Sequence, residues 1–130
     1  MRKKRALLDT SVVVAMSQER LDIVDPPEQV AISIVTLCEL HHGVLVAGDE
    51  RRAERLRGLD WARHHMETLP IEDDIAPRFG QLMSEARRAM GARPQFADTL
   101  IAATAMLYDL PVFTRDRDFE AFPGIEVIFI

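Results

Sequence analysis

The sequence predicts an α/β fold in which helices cover both faces of a parallel sheet. Short apolar runs, such as Ala6-Leu7-Leu8 and Val30-Ala31-Ile32-Ser33, alternate with longer segments of helical character. Strands that are buried on both faces read as continuous apolar runs rather than as an alternation of apolar and polar residues. The repeated order of strand and helix favours parallel strands joined by helices. Such sheets bind ligands beyond the carboxyl ends of their strands.

The first half of the chain is expected to contain two strands and three helices. Asp25-Pro26-Pro27 breaks the chain before the second strand, and Gly48 ends the helix that follows that strand. Asp49 is expected to cap the next helix, which carries alternating charges. In order, the elements are a strand at 6–8, a short helix at 11–18, a strand at 30–33, a helix at 35–46 and a charged helix at 49–65.

The second half is expected to continue the alternation. Asp73 or Asp74 opens a helix that ends near Gly91, and Pro94 precedes the most apolar helix of the chain. In order, the elements are a strand at 68–71, the helix ending near 91, the apolar helix at 96–108, a strand at 111–114, a polar turn or short helix at 115–122 and a last strand at 125–130.

The bulk composition is that of one ordinary globular domain, expected to span residues 1–130. The chain is 48% hydrophobic and 28% charged, and its net charge of -5 argues against nucleic-acid binding by bulk charge alone. Its single cysteine, Cys38, leaves no disulfide within the chain and favours a cytoplasmic location. The basic start, MRKKR, resembles a signal peptide, but Asp9-Thr10-Ser11 interrupts the apolar run that follows. No window approaches the roughly 20 apolar residues of a membrane helix, so no membrane association is expected.

Two acids follow strands directly. Asp9 comes after the first strand, and Asp116 lies just past Thr114, where the strand at 111–114 ends. Because the carboxyl ends of parallel strands meet at one edge of a sheet, both carboxylates are expected at the same edge.

Two further acids lie on helices. At helical spacing Glu39 shares a stripe with Val35, Gly43 and Val46, and Asp98 shares a face with Ile101, Ala102 and Ala105. The pattern predicts that both faces are covered by other parts of the fold. A buried, ionised carboxylate without a partner is very costly.

Each acid also has a purely structural interpretation. Asp9 could cap a helix, and Asp116 could be a turn residue or a cap. The charge of Asp98, in the first turn of its helix, could interact favourably with the helix dipole. Glu39 is harder to explain, because the only lysines, Lys3 and Lys4, precede the first strand, although an arginine could pair with it. A single metal pocket explains all four acids at once. Carboxylates alone suit a hard cation such as Mg²⁺ or Mn²⁺, which typically accompanies phosphate chemistry.

Four motifs in order along nearly the whole chain carry a family resemblance. They are Leu8-Asp9-Thr10-Ser11, Ser33-x-x-Thr36-x-x-Glu39-Leu40-x-x-Gly43, Asp98-x-x-Ile101-Ala102-Ala103-Thr104-Ala105, and Thr114-x-Asp116-x-Asp118-Phe119 followed by Gly124. The chain resembles the PIN-domain ribonucleases, and most closely the VapC-type toxins of bacterial toxin–antitoxin pairs.

The resemblance implies a three-layer α/β/α PIN-like fold with a central parallel sheet of about five strands. It implies a Mg²⁺ site, in which Mn²⁺ could substitute, formed by Asp9, Glu39, Asp98 and Asp116. Asp118, Thr10, Ser11 and Thr114 would be accessory residues, and Arg115 and Arg117 could hold substrate phosphates.

The implied reaction is metal-assisted hydrolysis of RNA phosphodiester bonds, in tRNA or rRNA, which would inhibit translation. The resemblance also implies a homodimer and a cognate VapB-type antitoxin whose tail covers the active site.

Other functions remain open on the residues alone. A PIN-domain nuclease of RNA processing, without a toxin role, and a non-catalytic binding module on the same fold are the alternatives. A receiver-like phosphoacceptor domain would need a lysine at a strand end, which the chain lacks. A di-iron carboxylate protein would need a second copy of Glu39-x-x-His42, which is also absent. His41, His42, His64 and His65 are expected at the surface.

Overall fold

The computed structural model describes residues 4–18, 21, 23, 25–91 and 93–130, so most of the basic start MRKKR lies outside the described residues. Five strands form one parallel sheet. In chain order they are β1 (Arg5–Leu8), β2 (Gln29–Ser33), β3 (Glu67–Leu69), β4 (Val112–Thr114) and β5 (Val127–Phe129). The helices are α1 (Thr10–Ser17), α2 (Ile34–Val46), α3 (Asp49–His65), α4 (Ile75–Met90) and α5 (Phe96–Tyr108), with a 3₁₀ helix at Arg117–Ala121.

The central strand β1 separates two hydrophobic cores. Leu7 points into one core, which α4 and α5 cover and to which Leu82 and Ile101 contribute. Ala6 and Leu8 point into the other core, which contains Val12 and Val13 of α1 and Ala62 of α3. Successive side chains of a strand point to opposite faces, so the continuous apolar run of β1 fills both cores. The expected three-layer α/β/α arrangement is confirmed.

The strand order β3-β2-β1-β4-β5 decides where the site lies. From β1 the chain first builds outward through β2 to β3, and it later returns to the other side of β1 with β4. The order therefore reverses between β1 and β4, and a crevice opens beyond the carboxyl ends of these two strands. Asp9 and Asp116 follow those ends, as the sequence predicts.

Several boundaries differ from the prediction by a few residues. Asp49 was expected to cap α3, but Gly48 occupies the cap position, and Asp49 lies in the first turn, where its charge favours the helix dipole. The last strand begins at Val127 rather than Ile125, because a turn in which Ile125 N–H donates to Phe122 C=O precedes it. Among the described residues, no helix is both long and apolar enough to cross a membrane.

Candidate metal centre

Asp9 is a buried acid whose carboxylate is held on several sides. Its side chain is 4% exposed. Oδ1 accepts hydrogen bonds from Val12 N–H at 3.2 Å and from Ser11 Oγ at 2.6 Å, and Oδ2 accepts one from Thr114 Oγ1 at 2.6 Å. The carboxylate therefore caps α1 and is fixed beside β4 at the same time. The structural interpretation of Asp9 as a helix cap is thus correct, and it leaves lone pairs free for a cation.

Thr114 links the acids of the two central strands. Its buried hydroxyl donates to Asp9 Oδ2 and accepts a bond of 2.9 Å from Asp116 N–H. Ser11 makes a parallel link, because its Oγ donates to Asp9 and accepts from Arg115 N–H at 3.3 Å. These bonds hold the start of α1 against the end of β4.

Asp116 begins the 3₁₀ helix as its cap. Its Oδ1 accepts a bond of 2.9 Å from Asp118 N–H, which turns the chain back so that the Asp118 side chain lies beside Asp116. Sequence analysis assigned Asp118 an accessory role. In the structure it belongs to the tightest group of acids, in which Asp98, Asp116 and Asp118 each offer one oxygen and these oxygens lie within 4.8 Å of one another.

Asp98 carries the clearest sign of a missing partner. It lies in the first turn of α5, and its Oδ2 is buried without a hydrogen-bond partner among the described residues. The pKa of its carboxyl is raised from 3.8 to about 6, chiefly by desolvation. Neighbouring negative charges contribute the rest of this rise, in decreasing order those of Asp116, Asp9, Glu39 and Asp118. Each of these four acids is therefore close enough to Asp98 to act on its charge.

Glu39 differs from the expectation in its burial. The helical stripe predicted a covered side chain, but Glu39 is exposed and Asp98 is only partly buried. α2 begins at the carboxyl end of β2, so its second turn already stands above the sheet, at the crevice. There Glu39 Oε1 accepts a bond of 2.7 Å from Thr10 Oγ1. Neither Glu39 nor Asp9 belongs to the group of oxygens within 4.8 Å.

Two cavities adjoin the acids. The larger, of about 370 Å³, lies between α1, α2 and α3, and its walls include Thr10, Glu39 and Arg55. The smaller, of about 80 Å³, borders Asp98 and Asp118. Glu39 therefore borders one cavity and Asp98 and Asp118 border the other, whereas Asp9 and Asp116 line neither of these two.

The two arginines near the acids differ in their contacts. The Arg117 guanidinium lies 4.2 Å from the centre of the Phe129 ring and 3.0 Å from Glu120 Oε1. The exposed Arg115 makes no ion pair with any residue that the structure describes. All four histidines are exposed, as expected.

The donor set fits a hard divalent cation. It consists of carboxylate oxygens, which Mg²⁺ and Mn²⁺ prefer, and Asp98 Oδ2 has no hydrogen-bond partner among the residues that the structure describes. A cation would also offset the repulsion that raises the Asp98 pKa. Asp98, Asp116 and Asp118 could hold the ion together, with Asp9 and Glu39 nearby.

Comparison with known proteins places this arrangement in a family. The model of the family described as PIN domain matches residues 6–125. The chain belongs to the PIN domain family. Among curated PIN relatives, Ribonuclease VapC5 of Mycobacterium tuberculosis is 42% identical over 127 residues, covering 94% of this chain and 93% of the relative. Ribonuclease VapC4 of the same organism is 38% identical over 136 residues and covers both chains fully.

A solved PIN-domain structure shows the same fold. The crystal structure of VapBC-5 from Mycobacterium tuberculosis, a member of the VapBC family of toxin-antitoxin systems, matches with a TM-score of 0.81 and 38% identity. The match covers 98% of this chain and 99% of that one. The PIN-like fold implied by the sequence motifs is therefore confirmed.

Sequence analysis named Thr36 as a motif residue and Thr10 as an accessory residue, but it did not connect Thr36 with Glu39. Oγ1 of the buried Thr36 lies 3.1 Å from Oγ1 of Thr10, and Thr10 in turn donates a hydrogen bond to Glu39. The available signal was its position three residues before Glu39, which puts both residues on one side of α2.

Proposed function

We propose that this chain is a metal-dependent endoribonuclease that acts as the toxin of a VapBC-type toxin–antitoxin pair. The observation that carries the proposal is the group formed by Asp98, Asp116 and Asp118, in which Asp98 Oδ2 is buried without a hydrogen-bond partner in the described part of the chain. Family membership and the VapC relatives point to RNA as the substrate. Residues 1–130 act as a single PIN domain in this proposal.

The acids are assigned different roles because their positions in the site differ. Asp98, Asp116 and Asp118 would hold Mg²⁺, for which Mn²⁺ could substitute, while Asp9 and Glu39 would complete the negative field around it. The ion would supply positive charge beside the substrate phosphate and would acidify a water molecule there. Asp9 is fixed by its three hydrogen-bond donors, and its bonds with Thr114 and Ser11 hold it beside β4.

Substrate phosphates are held by Arg115 rather than by Arg117 in this proposal. Arg115 is exposed and follows β4 directly, whereas Arg117 is already engaged by Phe129 and Glu120. A substrate phosphate would therefore compete with fewer contacts at Arg115. The substrate is expected to be a tRNA or an rRNA.

The partners follow from the relatives. The similarity to VapBC-5, a member of the VapBC toxin-antitoxin systems, supports a VapB-type antitoxin as partner. We propose that the tail of this antitoxin covers the acids and that the chain forms a homodimer. The cavity between α1, α2 and α3 gives such a tail room beside Glu39. A cytoplasmic location agrees with the single exposed Cys38 and with the RNA substrate.

The test is RNA cleavage by purified, antitoxin-free, metal-stripped protein. Cutting should appear with Mg²⁺ or Mn²⁺, stop with EDTA, and be lost in Asp98→Asn while the circular dichroism spectrum stays native. Asp109→Asn is the matched control, because Asp109 lies at the opposite end of α5 in a left-handed conformation that asparagine also adopts. Cutting that survives in Asp98→Asn, or that needs no metal, would refute the proposal.

Sequencing of RNA ends after a pulse of expression would identify the substrate. Cuts confined to tRNA or rRNA would support the toxin role. Cuts that mature a precursor RNA would instead favour an RNA-processing nuclease.

A further inference from the structure

Thr36 is a buried hydroxyl in α2, one turn before Glu39. Its side chain is 0% exposed. Its Oγ1 lies 3.1 Å from Thr10 Oγ1, and Thr10 Oγ1 lies 2.7 Å from Glu39 Oε1. Three side chains therefore form a continuous line from the interior of the protein to an exposed acid of the crevice.

The number of protons on these side chains decides which group donates and which accepts at each contact. A hydroxyl has one proton to donate, and an ionised carboxylate only accepts. The Thr10 proton is therefore directed to Glu39, and the contact between the two hydroxyls requires Thr36 to donate to Thr10 Oγ1. A hydroxyl that accepts a hydrogen bond becomes a better donor, so Thr36 strengthens the bond between Thr10 and Glu39.

Glu39 depends on this line more than the other acids depend on any single contact. Asp9 is short, buried and held by three donors. Glu39 is long and exposed, and within the described part of the chain its side chain forms no ion pair. Holding a long side chain in one conformation costs rotamer entropy, which the bond from Thr10 has to offset.

We propose that Thr36 is a positioning residue for Glu39, acting through Thr10, and that it sets the affinity of the crevice for a divalent cation. The inference rests on the proposed function, since it assumes that Glu39 contributes to metal binding. It assigns to Thr36 a role beyond filling space in the fold.

The test compares substitutions at Thr36 in metal-stripped protein. Thr36→Val keeps the shape of the side chain and removes the hydroxyl, whereas Thr36→Ser keeps the hydroxyl. Mn²⁺ affinity is measured by calorimetry, and kcat and KM are measured on a cleavable RNA. We expect Thr36→Val to weaken Mn²⁺ binding about five-fold, the effect of losing roughly one net hydrogen bond. We expect kcat to fall more than KM rises, and Thr36→Ser to restore both.

The matched control is Ser17→Ala. Ser17 is partly buried, and its hydroxyl donates to Val14 C=O within α1 at 2.9 Å, so its loss should affect stability without changing Mn²⁺ affinity. If Thr36→Val does not fold, Thr10→Val breaks the same line at a partly exposed position and should give the same loss.

The Glu39→Ala background separates positioning from general damage. There Thr36→Val should have no further effect on Mn²⁺ affinity, because no carboxylate remains to be positioned. Wild-type affinity in Thr36→Val, or an equal loss in the Glu39→Ala background, would overturn the inference and leave the proposed function intact. Wild-type protein that neither binds Mn²⁺ nor cuts RNA would overturn both.

Discussion

Asp98 is the acid whose surroundings are least favourable to its charge. It is partly buried, one of its oxygens has no partner in the described part of the chain, and four other carboxylates act on it. Such a group destabilises the metal-free protein when it is ionised. A functional site that sacrifices stability in this way is common among enzymes.

The pH dependence of stability follows from the raised pKa of Asp98. Its carboxyl has a pKa of about 6 in the folded protein and an ordinary value of 3.8, so protonation favours the folded state. The wild type is relatively stabilised at low pH and loses this stability as the pH rises through 6. Asp98→Asn should therefore raise the Tm of EDTA-treated protein at about pH 7, and this gain should shrink toward about pH 4. An equal Tm difference at both pH values would contradict the assignment.

Thr114 should matter to stability as well as to the site. Thr114→Val leaves Asp9 Oδ2 without its donor and Asp116 N–H without its acceptor, both near the buried end of β4. The loss should lower the free energy of unfolding by about 1–3 kcal/mol. Urea denaturation measures it, with Thr114→Ser as the control that keeps both bonds. A Thr114→Val variant as stable as the wild type would show that these bonds are not formed in solution.

The positions and exposure of the acids show how much of the candidate site could be predicted from the sequence alone. Asp9 and Asp116 were placed correctly, because a residue that directly follows a strand inherits the position of the strand end. The exposure of Glu39 was predicted wrongly, because helical spacing tells which residues share a face but not what covers that face. The cap that Asp116 forms turns Asp118 back toward Asp98, and the sequence offered this cap only as one of several interpretations of Asp116.

At the scale of elements, the starts of α1 and α2 position the site. Both helices begin at the carboxyl end of a strand with a side-chain cap, Asp9 for α1 and Ser33 for α2. Ser33 Oγ accepts a bond of 3.1 Å from Val35 N–H. These caps fix where each helix leaves the sheet, and hence where Thr10 and Glu39 face each other.

Removing the cap of α2 should therefore destabilise the fold. Ser33→Ala leaves Val35 N–H without its acceptor and should cost about 1 kcal/mol in the free energy of unfolding. Ser84→Ala is a suitable control, because the exposed Ser84 receives only a bond from Arg88 on the same helix. Chemical denaturation of both variants gives the comparison. A loss no larger than that of Ser84→Ala would mean that the cap contributes little.

Elements with strong sequence signals were predicted well, and those with weak signals less well. The apolar helix Phe96–Tyr108 has the predicted bounds, since Pro94 precedes it and its composition is uniform. The short strands β3 and β5 differ from the prediction, because apolar residues near a sheet edge also occur in turns. Backbone hydrogen bonds, rather than composition, decide where such strands begin.

At the scale of the whole molecule, the strand order creates the site. β1 lies at the centre of the sheet, and β2 and β4 flank it on opposite sides. Acids that follow β1 and β4, or that lie in α2 and α5, are therefore brought to the same edge of the sheet although they are far apart in the chain. Alternating strands and helices predict such a crevice, but the order of the strands, which the structure provides, decides which acids share it.

Divalent cations should stabilise the whole fold. An ion that binds the folded state and not the unfolded state raises the Tm, and the effect grows with the logarithm of the ion concentration once this exceeds the Kd. Millimolar Mg²⁺ or Mn²⁺ should raise the Tm of metal-stripped wild type and should affect Asp98→Asn less. Differential scanning calorimetry, with EDTA-treated protein as the reference, measures both shifts. A wild-type Tm that does not respond to either ion would count against a metal centre.

Anomalous diffraction from crystals soaked in Mn²⁺ tests the central claim most directly, namely that the crevice acids form one metal centre. We expect an anomalous peak within coordinating distance of the carboxylates of Asp98 and Asp116, and its loss in crystals of Asp98→Asn. Full Mn²⁺ soaking without a peak at the crevice, or a peak bound only by acids elsewhere on the surface, would contradict it.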